Sequence, residues 1–276
     1  MFWSLLTVCC YTISSLGDQY ISSRMKCTPS EFSFFVSVTT AFWLGILHLI
    51  TGWHLQLTKE SLILLLFLIL WKLGEFYSSA LLLKTVSAYE LKAWLGLNIL
   101  ASYFFNVIRG KYSLHPLICI FAFTLLLGIG LILSEESHST NLLKQLAISL
   151  LFVLSKFMYG LQLGMLPEGC SPSSILLVIM LVIAIFELPK ISAKRLLHKD
   201  GKLIAAATRL PNAAGLLTEA LAALENIFLY ALIQPMQLTL LFLISMIHKE
   251  KMGTRKRIGT ILSLLSILSI VLITFH

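Results

Sequence analysis

The chain has 276 residues, of which 58% are hydrophobic and 12% charged, and it carries a formal net charge of +8. Soluble domains hold about twice that share of charged residues, so this composition excludes a water-soluble globular protein and describes a polytopic membrane protein. The basic surplus reads as orientation in a lipid bilayer, with no role for nucleic acid.

Polar and Pro- or Gly-bearing breaks divide the chain into ten apolar stretches: residues 2–22, 32–53, 61–83, 88–108, 114–133, 142–164, 173–189, 203–222, 226–247 and 257–275. Each is close to the ~20 residues a helix needs to cross a bilayer, so ten transmembrane helices are expected. The stretch from Phe2 has no basic region before it and no small-residue cleavage site after it, so it reads as the first span. Span 3 carries Lys72 and Glu75, one helical turn apart on one face. Span 4 carries Trp94 and Asn98, and span 6 carries Lys156 and Tyr159. In span 8, Pro211 stands between Arg209 and Asn212 and is expected to break the helix locally. Span 9 carries Tyr230 and Gln234. The longest connection, Pro189 to Lys202, is too short for a folded domain. The cysteines Cys9, Cys10, Cys27, Cys119 and Cys170 form neither a CxxC nor a Cys/His cluster and read as small packing residues.

Two tetrapeptides are near-twins: Cys27-Thr28-Pro29-Ser30 and, 143 residues on, Cys170-Ser171-Pro172-Ser173. The same shift lays Gly17-Asp18-Gln19 on Gly160-Leu161-Gln162. Later a shift of 140 lays Ala80-Leu81 on Ala220-Leu221, Arg109-Gly110-Lys111 on Lys249-Glu250-Lys251, and Cys119 on Gly259. The constant order argues for a duplication into residues 1–138 and 139–276, five spans each. An odd number of spans turns the second copy upside down, which gives two inverted five-helix repeats.

The pieces Gly17-Asp18-Gln19-Tyr20, Pro29, Ala80-Leu81-Leu82-Leu83-Lys84 with Ser87-Ala88, and Glu250 with Gly259 resemble the EamA-type pattern of the drug/metabolite transporter superfamily. The resemblance runs over nearly the whole chain. It implies ten helices in two inverted repeats, a small metabolite as cargo, and both termini in the cytoplasm. The first repeat departs from the pattern at Gly110, where the family has the glutamate seen at Glu250.

Ionisable groups at bilayer depth cost ~2.5–3.5 kcal/mol on insertion scales. Lys72, Lys156 and Arg209 sit mid-span, and Lys156 and Arg209 have no acid close in sequence. One reading makes Lys72–Glu75 a structural bridge and lets the long basic side chains snorkel or meet Glu219 and Glu225 across the bundle. The other sets Lys72, Glu75, Lys156 and Arg209 around a central water-accessible cavity, with Asn212 at the depth of Lys72. Trp94, Tyr159 and Tyr230 then form its wall, and Asn98 and Gln234 serve either ligand or helix packing. Converging cations favour a solute with a carboxylate or phosphate.

No HExxH, GxSxG or phosphate-binding glycine loop occurs, so neither an enzyme nor a cofactor is expected. The favoured function is a secondary transporter, driven by a gradient or exchange, for a small anionic or zwitterionic metabolite such as an amino acid or organic acid. The alternatives are an exporter of cationic or amphiphilic drugs, or a non-transporting scaffold or lipid-handling protein. The expected partners are a small-molecule solute and the lipid bilayer, the expected setting is a bacterial plasma membrane, and the expected state is a monomer or homodimer.

Connections after odd-numbered spans hold fourteen basic residues, against three after even-numbered spans. Positive residues stay on the cytoplasmic side, so the charge bias puts both termini outside, opposite to what the resemblance implies. The expected outcome is that single cysteines placed in 189–202 and 248–257 resist a membrane-impermeant thiol reagent in intact cells. Strong labelling there reverses the orientation.

Overall fold

In hydrocarbon every backbone N–H and C=O has to find its partner within the protein, and a helix does this within one segment. The computed structural model describes residues 2–51, 58–134, 142–167, 169–192, 201–247 and 253–275, and among these it forms helices and no strand. In chain order they are α1 (Phe2–Gln19), α2 (Pro29–Thr51), α3 (Lys59–Leu82), α4 (Ala88–Leu95), α5 (Leu97–Ile108), α6 (Pro116–Ser134), α7 (Leu142–Leu163), α8 (Pro172–Glu187), α9 (Lys202–Ala207), α10 (Arg209–Glu225), α11 (Ile227–Ile247) and α12 (Thr254–Phe275). Among the described residues, six segments are long and apolar enough to cross a membrane: Pro29–Leu49, Lys59–Leu82, Ala88–Ile108, Leu143–Leu163, Pro172–Lys190 and Thr254–Ile273. Two shorter apolar stretches, Pro116–Ile132 and Tyr230–Ile244, belong to α6 and α11. The protein is therefore an all-α protein of membrane type.

The twin tetrapeptides do the same local work. Thr28 precedes Pro29, the first residue of α2, and its hydroxyl accepts the Glu31 N–H at 3.2 Å. Ser171 precedes Pro172, the first residue of α8, and accepts the Ser174 N–H at 3.3 Å. A hydroxyl at the cap satisfies an orphan donor, and proline fits the next position because its missing N–H would have no partner there. Pro211 interrupts span 8 as expected from the sequence: the break lies at Thr208, between α9 and α10, in the turn before the proline, whose missing N–H cannot bond the Ala207 carbonyl.

The helices are amphipathic in the reverse of the aqueous sense. On α1, Ser4, Thr7, Tyr11, Thr12, Ser14 and Ser15 are buried, while Phe2, Leu5, Leu6, Ile13 and Leu16 are exposed. A bilayer solvates the leucines and leaves the hydroxyls to bond helix to helix: Thr7 donates to Thr218 at 2.7 Å and Ser14 to Asn212 at 2.9 Å. The main helix pairings are α6 with α12, α3 with α7, α1 with α10 and α2 with α8, and α11 packs on α4 and α5. The polar helices α1 and α10 thus sit against each other, with apolar helices around them. Lys249, Glu250 and Lys251, named above, lie outside the described residues, as does most of the connection from Pro189 to Lys202.

Close packing of α6 on α12 depends on facing glycines. A Cβ on Gly259 would stand 2.5 Å from the Gly128 carbonyl oxygen and 2.9 Å from Leu131 Cβ, whereas at Gly45 nothing lies within 4 Å. Backbone cannot retreat as a side chain does, so Gly259→Val is expected to destabilise by about 1–3 kcal/mol or more. Gly45→Ala is expected to leave the melting temperature in detergent unchanged or slightly raised.

Candidate functional site

The centre of the bundle holds a chain of charges drawn from four helices. Lys72 Nζ on α3 donates to Glu75 Oε2 at 2.9 Å. The other oxygen of Glu75 lies 3.3 Å from Lys156 Nζ on α7, and Lys156 in turn stands 2.7 Å from Glu219 Oε1 on α10. That second approach has the character of an ion pair more than of a directed hydrogen bond. Glu219 Oε2 accepts a short hydrogen bond from the Tyr11 hydroxyl on α1. Aromatic faces complete the surroundings: Lys72 Nζ is 4.6 Å from the centre of the Tyr159 ring, and Lys156 Nζ is 5.2 Å from that of Tyr11. Each ammonium thus meets carboxylate and ring electrons in place of water, which reduces the cost of removing it from solvent.

A second group forms where α1 meets the start of α10. The Arg209 guanidinium donates to Asp18 Oδ1 at 2.6 Å, to the Ser14 carbonyl at 3.0 Å and to the Thr208 hydroxyl at 3.0 Å. Gly17 makes the room, since a Cβ there would fall 2.5 Å from Arg209 Nη2. Asn212, one turn on, accepts from Ser14 and donates to Thr40 Oγ1 at 3.0 Å, tying α1, α2 and α10 together.

Between these groups lies a cavity of about 50 Å³ whose walls include Asp18, Lys72, Glu75, Lys92, Lys156 and Asn212. That is room for a few water molecules. The side chain of Asp18 is 29% exposed, that of Glu75 14% and that of Glu219 0%, so water reaches the cluster from the Asp18 end. This is also the end where α1 joins α2 and α3 joins α4, and where Gln19 accepts the Ala88 N–H. Deeper in, Tyr159 and Tyr230 are fully buried, and the Tyr230 ring rests on Gly160 with its hydroxyl bonded to the Lys156 carbonyl at 2.7 Å. At the opposite end a second cavity of about 210 Å³ is lined by residues including Asn106, Arg109, Gly164, Glu225 and Asn226.

Of the residues expected at the site, Lys72, Glu75, Lys156 and Asn212 line the central cavity together. Arg209 adjoins it but is wholly enclosed by its own partners, and Tyr159 lies under the cations. Trp94 does not form the wall; it packs among Leu91, Leu95 and Phe152 in a second apolar cluster. Tyr230 serves the seal below, and Asn98 and Gln234 are buried between α5 and α11 without a hydrogen-bond partner. Lys156 and Arg209 have no acid close in sequence; the fold supplies Glu219, Glu75 and Asp18 from other helices. Lys92 went unremarked, although a lysine four residues inside span 4 is a signal that a scan for charges within apolar stretches would find.

Comparison of the chain with family models and with curated proteins gave no match. The EamA-type resemblance therefore rests on the motifs quoted above.

Removing one member of a buried pair leaves the other charge exposed to low dielectric, at a cost of about 3–5 kcal/mol. Glu219→Leu is expected to destabilise the protein by that order, and Glu219→Leu with Lys156→Met by clearly less than the sum of the single changes. Denaturant unfolding of the four proteins in the cycle measures it, and additivity of the two changes contradicts the pairing.

Proposed function

We propose that this chain is a secondary transporter of the EamA type, in which residues 1–138 and 139–276 form two inverted five-helix repeats and ten helices cross a bacterial plasma membrane. In the proposed numbering α4 with α5 is span 4, α9 with α10 is span 8, and α11 and α12 are spans 9 and 10. The helix pairings support the repeat: spans 1–8, 3–6, 2–7, 4–9 and 5–10 return the same set when each number is exchanged for its counterpart five on or five back. The shifts read from the sequence agree in register. Moving Tyr11 forward by 143 and Gly215 back by 140 turns their contact into Leu154 against Glu75, next to the observed approach of Ser155 to Gly74.

The observation that carries the function is the polar cavity where the two halves meet, open to water at one end and sealed at the other by Tyr159 and Tyr230. Along α7, Lys156 faces this cavity, Tyr159 and Gly160 follow, and Leu161 and Gly164 line the cavity at the far end. Two cavities with a packed layer between them fit alternating access, in which rocking of the repeats opens one end as the other closes. Lys72, Lys92, Lys156 and Arg209 outnumber Asp18, Glu75 and Glu219 at or beside the central cavity. That surplus favours a small anionic or zwitterionic solute over a cationic drug, and a mere scaffold gains nothing from so many desolvated charges. The cavity as it stands admits only a few waters, so the solute enters as the helices part. The protein acts as a monomer or homodimer with no cofactor.

Liposomes holding the purified protein are expected to take up at least one amino acid or small organic acid saturably. Lys156→Met is expected to lower that uptake at least tenfold at equal amounts of folded protein, while Lys194→Met leaves it unchanged. Movement of permanent cations such as tetraphenylphosphonium alone, or of no solute, overturns the reading.

A further inference from the structure

Among the described residues, every cation around the central cavity has a carboxylate partner except one. Arg209 holds Asp18, Lys72 holds Glu75, and Lys156 lies between Glu75 and Glu219. Lys92 lines the same cavity, yet among the described residues no carboxylate oxygen stands within 4 Å of it and no hydrogen bond holds it. The acid nearest to it in sequence is committed elsewhere: Glu90 accepts the Ser87 N–H at 2.9 Å and pairs with Lys256 of α12. Those bonds, with that of the Ala88 N–H to Gln19, fix the start of α4 and so fix where Lys92 emerges. The rest of α4 is packed, with Tyr89 stacked on Phe242 and Ala93 buried beside it.

The Lys92 ammonium is half-buried in the cavity that Lys72 and Lys156 also line, and it has given up part of its hydration. One negative charge in the cavity would bring the seven ionisable groups and the guest to neutrality. We infer that Lys92 is the residue that binds the anionic group of the solute, and that the solute presents a single negative charge there, a carboxylate in the simplest case. This rests on the transporter reading and specifies its substrate class. Lys72 and Lys156 then set the field around the guest, because their own charges are already balanced by Glu75 and Glu219. Serine and tyrosine hydroxyls along the same wall, such as Ser79 and Tyr11, bound how large the guest's remainder is.

The test is a thermal-unfolding titration of purified protein in detergent at constant ionic strength with L-lactate, pyruvate, L-alanine, succinate and phosphate. At least one of the compounds with a single carboxylate is expected to raise the melting temperature of the unmodified protein. Lys92→Gln is expected to weaken that ligand at least tenfold, and Lys92→Arg to keep it within a few-fold. Without ligand, Lys92→Gln is expected to melt no lower than the unmodified protein, since it removes a charge that has no partner; a structural lysine would lower it. Lys84→Gln, at an exposed position outside the cavity lining, serves as control. The inference fails if none of these compounds stabilises the unmodified protein, if Lys92→Gln binds as tightly, or if Lys92→Arg alone retains the fold. Binding lost in Lys92→Gln from a protein that moves nothing in liposomes keeps the site and removes the transporter; uptake undiminished in Lys92→Gln removes the site alone.

Discussion

The structure is governed by the cost of holding charge where there is no water. An ammonium or carboxylate in a bilayer is tolerated when other protein groups replace its hydration, and that requirement decides which helices sit in the middle. α1 and α10 carry Tyr11, Asp18, Arg209, Asn212 and Glu219, and they pack against each other at the centre. The apolar faces of α2, α3, α6 and α12 turn outward. Glu75 and Glu219 each touch two partners, so the cluster is a connected network in which no pair stands alone.

Small residues decide how closely that network is held. Gly17 lets Arg209 lie against α1, Gly160 receives the Tyr230 ring, and Gly74 admits Ser155 beside the Lys72–Glu75 pair. Without side chains at these points the helices approach closely enough for short polar groups to span the gap, a recurring route to tight packing where hydrophobic driving force between helices is absent. Asp18, at the wet end, has water as well as arginine, whereas Glu219 has protein alone. The cluster therefore runs from hydrated to dry over the length of one cavity.

Much of this was legible in the sequence because it is local. The ten apolar stretches fell within a few residues of the helices, and the twin tetrapeptides marked two helix starts built from a hydroxyl cap and a proline. Lys72 and Glu75 could be paired on spacing alone. The partners of Lys156 and Arg209 could not, since Glu219 and Asp18 are distant in the chain and only helix packing brings them in. A meeting of a basic side chain with Glu219 across the bundle was one of two open readings; the fold gives Glu219 a lysine and a tyrosine. Trp94 had the right depth but the wrong face, and depth is all that a span boundary gives. The break in span 8 was legible too: it occurs at Thr208, within the turn before Pro211, where the missing proline N–H leaves the backbone ladder open.

In the two-repeat arrangement proposed above, the ion pairs also have a consequence for how the two halves of the chain choose each other. Asp18 meets Arg209, Glu75 meets Lys156, and Glu90 meets Lys256. In all three the acid belongs to residues 1–138 and the base to residues 139–276. Shifting each pair by the repeat spacing gives Leu161 with Ile69, Gly215 with Ile13, and Tyr230 with Pro116, none of them charged. The ionic contacts therefore exist once where a symmetric pair would have them twice. Two copies of the first half would set Asp18 and Glu90 against apolar surface, and two copies of the second would strand Arg209 and Lys256, while Glu75 keeps Lys72 and Lys156 keeps Glu219. As separate polypeptides the halves would thus prefer each other to themselves, a discrimination that comes from penalties on the wrong pairing as much as from attraction in the right one.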